Sequence, residues 1–446
     1  MPSDIQLAID ALLAKESMYT MLYQYYDGDQ PLVYVTERLH QVFESLNARF
    51  NENWCAVVVN SVYDRLEIRD FQIADQEQAT KGLQLLREKS GLADEEGLIH
   101  EDVCVVGEAY MIVWPDEDGV PQVYRNDPRQ VYVHYDEDNP RKASFAAKWW
   151  KTREGYLRLT MYYRDRLEYY VSERTIIPGE QASEKIFQPL QEAPVADNPY
   201  GVIPVFHFRL SRRRAKSYLD NVIEPQNIIN KLLADLMVAA EFAAYRQRWI
   251  ISQVGAEGLK NVPFGIWDIP ASDGTGQATS VGEFAHTPLS NYLEALRAFA
   301  ADIGIITETP RHFFFQQGGQ LSGEALIAME SPLNRKVHKA IQALVPTWRD
   351  LVSFMLALVN IQITTDQIWT NYAPPETVQP KTQAEIRKLN VGSGIPLPTV
   401  LRDEGWDEAD LLKMYDDEEK AAERATSYAE AAMEGARTRF DQGLPA

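Results

Sequence analysis

The sequence has few of the residues on which covalent catalysis and metal binding depend. Two of its 446 residues are cysteines, Cys55 and Cys104, each within an apolar run, and its seven histidines are scattered. It contains no H-E-x-x-H, C-x-x-C or G-x-S-x-G pattern, and its acidic turns PDEDG and YDEDNP lack the ligand spacing of a calcium loop. We therefore expect two buried, reduced thiols, no catalytic residue, no metal and no cofactor.

Positive charge and long apolar runs are also scarce. Lys and Arg total 44 against 65 Asp and Glu, which gives a formal net charge of −21. Proteins that wrap nucleic acid usually carry a basic surface, so this chain is not expected to grip a polyanion over its whole surface. No apolar run reaches the roughly 18 residues of a membrane-spanning helix, and residues 1–17 lack the pattern of a secretory signal. These absences predict a protein that is made in the cytoplasm and is not embedded in a membrane.

The remaining pattern predicts an α+β fold. Apolar residues at helical spacing predict helices over 4–24 and 36–48, and the apolar segment 54–68 is typical of a helix that leads into a strand. From about 100 to 210, alternating aromatic residues between turn residues predict a β-meander. This meander includes a hairpin that turns at Pro115–Gly119.

The second half of the chain is predicted to be mostly helical. Ser217 and Asp220 have the spacing of a capping box, which predicts a helix from Ser217 to about Tyr245. A further helix is expected over 289–306. Between the two, residues 247–287 alternate short β-like pieces with Gly, Pro and Ser, which predicts a small β-excursion.

The longest helix is predicted over 322–358. Its apolar residues repeat near every 3.5 positions. Pro332 and Pro346 lie inside it and are expected to kink it, because each removes an amide donor. Shorter helices are expected over 381–391, 397–404 and 407–437.

The stretch RHFFFQQGGQLSGEAL, residues 311–326, raises the question of a nucleotide site. Gly318 and Gly323 have the outer spacing of a phosphate-binding loop, but such a loop continues with Lys and then Ser or Thr. Here Glu324 follows, and its carboxylate would repel a phosphate. The pattern instead predicts a hinge at Gly318–Gly319 before a helix, with the three phenylalanines packed near the base of the loop.

One dense basic run stands out in this acidic chain. It consists of Arg209, Arg212, Arg213, Arg214 and Lys216. The run precedes a predicted helix start, where positive charge is unfavourable against the helix dipole, and this favours a partner for it. A contact with an acidic protein surface or DNA, pairing within an assembly, and plain solvation all stay open.

The order of several segments resembles the portal proteins of tailed bacteriophages of the siphophage type, which form a head-to-tail connector ring. The resemblance covers nearly the whole chain and lies in the ordered set rather than in one motif. The segments are YYDGDQPL (25–32), NWCAVVVNSVYDRLEI (53–68), EAYMIVWPDEDGVPQVYRNDPRQVYV (108–133), NPYGVIPVFHF (198–208), GGQLSGEAL (318–326) and IWTNYAPPETVQPKTQAEIRKLNVGSGIPLPTVLRDEGW (368–406).

The resemblance implies a portal fold, with a mixed helix and β-meander wing, two stem helices, a small β-containing clip, a long kinked helix and a helical crown. The implied regions are the wing (1–210), the first stem helix with its basic lead-in (211–246), the clip (247–287), the second stem helix (288–306), the tunnel loop (307–322), the long kinked helix (323–359), and the crown with the C-terminal helix (360–446).

The resemblance also implies a function without enzymatic activity. It implies a structural virion protein that assembles in the host cytoplasm into a homo-oligomeric ring, usually a dodecamer, at one capsid vertex. The ring would be the channel for packaging and ejection of double-stranded DNA. Its implied partners are that DNA, the terminase large subunit, a head-completion or adaptor protein, the major capsid protein and scaffold.

The implied site residues fall in two regions. The DNA-channel candidates of the tunnel loop are Arg311, His312, Gln316, Gln317, Gly318, Gly319 and Gln320. The clip-interface candidates are Trp249, Phe264, Trp267 and Phe284, for which packing between neighbouring clips is an equally good explanation.

A second hypothesis is a monomeric cytosolic enzyme or nucleotide-dependent assembly factor with no recognisable motif. This hypothesis predicts a clustered polar pocket, a monomeric mass and nucleotide binding. The portal hypothesis predicts a ring, so the mass of the assembled protein discriminates between the two.

Overall fold

The computed structural model divides the chain into two compact units, Met1–Pro375 and Glu376–Ala446. The residues it describes are 2–31, 33–34, 52–74, 76–175, 182–244, 248–251, 280–283, 288–315, 323–376, 380–404, 406, 411–417, 419–420, 424 and 426. The helix predicted over 36–48 lies outside these residues, as does most of the one predicted over 407–437.

Local sequence signals set the ends of the first helix. The side chain of Ser3 accepts a hydrogen bond from the backbone N–H of Gln6 at 3.1 Å, which caps the start, and Gly28 ends the helix in the left-handed conformation. The helices are α1 (Asp4–Asp27), α2 (Trp54–Tyr63), α3 (Glu77–Lys89), α4 (Leu92–Val106), α5 (Ile223–Ala244), α6 (Leu289–Thr307), α7 (Gly323–Leu358), α8 (Pro380–Gly392) and α9 (Leu397–Asp403). None of these described helices has the length and apolar character needed to cross a membrane.

The described strands pair in antiparallel fashion. They are β1 (Ile68–Ile73), β2 (Glu108–Pro115), β3 (Pro121–Asn126), β4 (Val131–Tyr135), β5 (Ala143–Lys151), β6 (Leu157–Tyr162), β7 (Arg166–Ser172), β8 (Phe187–Pro189), β9 (Val195–Asp197), β10 (Val205–Arg209), β11 (Arg248–Ile251), β12 (Ser280–Glu283) and β13 (Ile368–Tyr372). One sheet has the order β10-β2-β3, and a second runs from β4 to β8 in chain order, with β9 on β7. β1 pairs with β13, and β11 pairs with β12.

Several predictions from the sequence are confirmed. The β2–β3 hairpin turns just after Pro115, and α2 leads into β1 as expected. The β11–β12 pair lies between α5 and α6, and α7 is one continuous helix with Pro332 and Pro346 inside it. Cys55 and Cys104 are buried and unpaired. The α+β class is therefore correct.

The helix predicted from Ser217 begins later than predicted. α5 starts at Ile223 and carries Pro225 in its first turn, where a missing amide hydrogen costs nothing. The hydroxyl of Ser217 instead donates to the carbonyl oxygen of Val105 and accepts from the backbone N–H of Leu219 at 2.9 Å. The basic run therefore precedes a loop rather than a helix N-terminus, which removes the dipole argument for it.

Two other features differ from the sequence-based picture. α4 was not predicted, and because it reaches Val106, the β-meander begins at Glu108 rather than near residue 100. β13 was not predicted, because its partner β1 lies about three hundred residues earlier in the chain and no local pattern signals such a pairing.

A core of the first unit forms around Trp348 of α7, which is fully buried. Its ring centroid lies 4.4 Å from that of Phe208 in β10, 6.1 Å from Phe71 in β1 and 5.7 Å from His100 in α4. The long helix is thereby tied to both the N-terminal helices and the sheets. Tilted and edge-on ring pairs of this kind add to the stabilisation from burial.

Candidate functional site

The structure divides the basic run between two cavities. Arg209 ends β10, and Arg212, Arg213 and Arg214 follow in the bend after it. These four arginines line a cavity of about 320 Å³ together with residues of α1, β2 and β4. We call it the arginine pocket. Lys216 does not line it.

The inner wall of the arginine pocket is a buried polar network centred on Glu108. Oε1 of Glu108 accepts from the Lys15 ammonium at 3.1 Å, the Tyr19 hydroxyl at 2.7 Å and the Tyr110 hydroxyl at 2.8 Å. Oε2 lies 3.0 Å from Nε2 of His207. The carboxylate thus meets donors from α1, β2 and β10, which joins these three elements.

The network holds Glu108 ionised. Burial by itself would raise the pKa of this carboxyl, but the hydrogen bond from His207 and the charge of Lys15 hold the pKa well below its usual range. Burial lowers the pKa of His207, partly against the effect of Glu108, so the imidazole stays neutral. Because the ionised Oε2 of Glu108 can only accept a hydrogen bond, Nε2 of His207 carries the ring proton, and Nδ1 accepts from the Tyr135 hydroxyl at 3.1 Å.

The arginines have little compensating charge. Nη2 of Arg214 lies 3.9 Å from a carboxylate oxygen of Asp220, and the Arg214 side chain is 74% exposed. Cζ of Arg209 stacks 4.2 Å from the centroid of the Tyr135 ring. Arg212 and Arg213 are exposed and form no ion pair with any residue that the structure describes.

Lys216 lies on a separate cavity of about 270 Å³, which Lys336 and Lys339 of α7 also line. Nζ of Lys336 donates to the carbonyl oxygen of Thr307 at 3.0 Å and lies 4.2 Å from the centroid of the Tyr218 ring. Burial lowers the pKa of Lys336 to about 8. This lysine ties the last residue of α6 to α7.

The base of the loop between α6 and α7 is well packed. Arg311 and His312 form a short 3-10 turn, with Arg311 exposed. Phe314 is buried, and its ring centroid lies 5.3 Å from that of Trp54, as the sequence predicts for the phenylalanine triplet. Nε2 of His312 lies 3.3 Å from Oε1 of Glu330 in α7. The other channel candidates, Gln316, Gln317, Gly318, Gly319 and Gln320, lie outside the described residues.

One clip candidate is described. Trp249 of β11 stands opposite Gly282 of β12, and a Cβ added at Gly282 would lie 2.3 Å from the indole ring. The absence of a side chain at Gly282 therefore makes space for the indole ring of Trp249. Phe264, Trp267 and Phe284 lie outside the described residues.

Sequence reasoning missed the Glu108 network. The one local signal is a glutamate at the head of the apolar strand β2, where a charge is costly unless it is paired. Its partners Lys15 and His207 lie 93 and 99 residues away, so no motif spacing could have found them.

The sequence of the chain matches the model of a known protein family. The family model described as phage portal protein, SPP1 Gp6-like, matches residues 8–422. No curated protein sequence matches the chain.

Solved structures that are similar to the chain share little sequence identity with it. A chain from the neck of an empty gene transfer agent (GTA) particle, computed with C6 symmetry, is similar with a TM-score of 0.45 and 13% identity, over 81% of this chain and 90% of that one. A chain from the virion of the native GTA particle gives a TM-score of 0.41 and 12% identity over the same shares.

Proposed function

The chain belongs to the phage portal protein family of the SPP1 Gp6-like type, and from this membership we propose its specific role in the particle. The observation that carries the proposal is the family match over residues 8–422. Proteins of this family are structural components of the virion that assemble as homo-oligomeric rings. We propose that this chain forms a ring of twelve subunits at one capsid vertex, and that double-stranded DNA passes through the ring during packaging and ejection.

The arrangement of α5 and α6 supports the proposed regions. These two helices contact each other and are joined through the β11–β12 pair. That is the arrangement expected if 211–246 and 288–306 contain the stem helices and 247–287 is the clip. The tunnel loop is then 307–322, the long helix is 323–359, the wing is 1–210 and the crown is 360–446.

The acidic balance of the chain fits a conduit. Suppose that each of twelve subunits neutralised one phosphate. A plot of the logarithm of the affinity against the logarithm of the salt concentration would then have a slope near −11, which corresponds to strong electrostatic binding of the DNA. DNA must slide through a channel, so few phosphate contacts suit the role. A net charge of −21 is consistent with such a wall.

The proposed partners follow from the family. They are the terminase large subunit, a head-completion or adaptor protein, the major capsid protein and scaffold, with assembly in the host cytoplasm. We propose that the chain itself has no catalytic activity and that the packaging motor is a separate protein.

The deciding experiment measures the mass and shape of the purified full-length protein. We expect native mass spectrometry to give a species of twelve 50.8 kDa chains, and negative-stain images to show rings with a central opening. Another ring size would overturn the twelvefold count alone. A monodisperse monomer at high concentration, also with scaffold present, would overturn the ring.

A further inference from the structure

The arginine pocket has an excess of positive charge that the chain does not compensate. Four guanidinium groups line it, from Arg209, Arg212, Arg213 and Arg214, in a protein with a net charge of −21. Among the described residues that line it, Glu108 is the one carboxylate. Glu108 cannot neutralise the arginines, because it already pairs with Lys15 and accepts hydrogen bonds from other buried donors.

The remaining acidic neighbour is a weak partner. Asp220 approaches Arg214 at 3.9 Å across a solvent-exposed contact, and exposed ion pairs contribute little. Arg212 and Arg213 have no ion-pair partner in the described part of the chain. Adjacent like charges repel each other, so the bend that gathers them is stabilised if an anion binds there.

The charge of the pocket suits a phosphate better than a single carboxylate. A guanidinium group is planar and presents paired N–H donors that match two oxygens of either group. One carboxylate carries a single charge, whereas a terminal phosphate carries about 1.5 to 2 negative charges at pH 7, and a strand of nucleic acid presents a row of singly charged phosphodiester groups. Arg209 is already held by its stacking on Tyr135, which lowers the cost of ordering it.

We propose that the arginine pocket binds phosphate groups, supplied either by a free polyphosphate or by a nucleic-acid strand. The wall opposite the arginines is built from neutral or mutually paired groups, so the pocket keeps a net positive charge. The inference does not depend on the role proposed for the loop 307–322 or on the ring. A protein that forms the ring but does not bind phosphate in the arginine pocket would contradict this inference alone. A protein that binds phosphate but does not form a ring would contradict the proposed ring alone.

The test uses the full-length protein and two variants of equal net charge. The first variant is Arg212→Gln with Arg213→Gln. The matched control is Arg141→Gln with Arg153→Gln, which removes two exposed arginines outside the basic run and the pocket. All four side chains are exposed, so both variants are expected to fold, and circular dichroism checks this.

Binding is measured by calorimetric titration with sodium pyrophosphate, and by fluorescence anisotropy with a labelled 20-base-pair DNA duplex at low salt. We expect saturable binding of pyrophosphate to the wild-type chain and the control, and at least a tenfold loss in the pocket variant. If the duplex binds with the same tenfold loss and pyrophosphate displaces it, the source is a nucleic-acid strand. If only pyrophosphate binds, the source is a free polyphosphate.

Three outcomes would overturn the proposal. One is that neither pyrophosphate nor the duplex binds the wild-type chain. Another is an equal loss of binding in the control variant, which would mean that overall charge is the cause. The third is displacement of pyrophosphate by a glutamate peptide of equal charge at equal concentration, which would assign the pocket to an acidic protein surface.

Discussion

Nε2 of His207 lies 3.0 Å from Oε2 of Glu108, and both side chains are almost completely buried. The neutral imidazole orients the carboxylate, while the positive charge that balances it comes from Lys15 of α1. The network therefore joins the N-terminal helix to the sheet through one ion pair and its hydrogen bonds. Breaking such a pair from one side leaves a buried charge without a partner.

The substitution Glu108→Gln is expected to destabilise the protein by about 3–5 kcal/mol, because it leaves the buried Lys15 ammonium without a counter-charge. The free energy of unfolding, measured by chemical denaturation at one protein concentration, checks this. Asp165→Asn is the matched control. Asp165 pairs with Arg166 but its side chain is 72% exposed, so the change should stay within about 0.5 kcal/mol.

Adding Lys15→Met to Glu108→Gln should recover part of the lost stability, because the uncompensated charge is removed as well. A Glu108→Gln protein as stable as the wild type would show that the ion pair does not hold α1 to the sheet.

The stability should fall below about pH 6.5 in a way that depends on His100. This residue is buried beside Trp348, with Nε2 3.0 Å from the Tyr372 hydroxyl, and burial lowers its pKa from 6.5 to about 3. Between these two values the unfolded chain binds a proton that the folded chain does not. The contribution of His100 to the free energy of unfolding is therefore fully present above pH 6.5. Below that pH the free energy of unfolding falls by about 1.4 kcal/mol per pH unit.

Between pH 6.0 and pH 4.5, we expect the free energy of unfolding of the His100→Gln variant to fall by about 2 kcal/mol less than that of the wild type. This difference is expected whatever the stability of the variant at pH 7.5. Urea denaturation at these three pH values measures the difference. Because His207 is present in both proteins, its contribution cancels. Parallel pH profiles would mean that His100 is protonated in the folded state.

Gly107 is required for close packing as well as for its backbone conformation. Its φ is +89°, and an added Cβ would lie 2.4 Å from the backbone nitrogen of Lys216. Gly107→Ala should therefore cost more than about 3 kcal/mol, since neither backbone segment can move freely. Gly119 has a φ of +78° with open space around it, so Gly119→Ala should cost about 1 kcal/mol from strain alone.

Gly82 completes this series. It lies inside α3 with nothing within 4 Å of an added Cβ, so Gly82→Ala should stabilise the protein by about 0.5–1 kcal/mol through helix propensity. Thermal denaturation of the three variants separates the contributions. Equal losses for Gly107→Ala and Gly119→Ala would show that the approach of Lys216 has no energetic effect.

Deletion of Gln316–Gln320 should leave assembly intact and impair packaging or retention of DNA. The base of the loop is held separately, by burial of Phe314 against Trp54 and by the contact between His312 and Glu330. The readouts are ring formation by negative-stain imaging and the amount of nuclease-protected DNA in assembled particles. A five-residue Gly/Ser replacement of the same segment controls for loop length, and a deletion variant that packages and retains DNA normally would contradict the role of these residues.

The sequence-based predictions were correct where residues close together in the chain carry the signal, and wrong where distant residues decide the structure. The β2–β3 hairpin was correct because Pro115 and Gly119 mark a turn between two apolar runs, and the long helix α7 was correct because its apolar residues repeat over many turns. The start of α5 was wrong because Ser217 has the residue type of a cap, yet its hydroxyl bonds to Val105 in another element. A capping pattern identifies where a helix can start, and tertiary contacts decide whether it does.

The sequence by itself determined the α+β class, the long helix α7, the family and the presence of one basic run in an acidic chain. These depend on residue types and spacings along a short stretch or on the order of segments. Only the tertiary structure decided that four of the five basic residues share a pocket, that Lys216 belongs to another, and that Lys15, Glu108 and His207 meet. Such contacts join residues about a hundred positions apart, and they exist because the packing of helices on sheets brings those positions together, which no local pattern encodes.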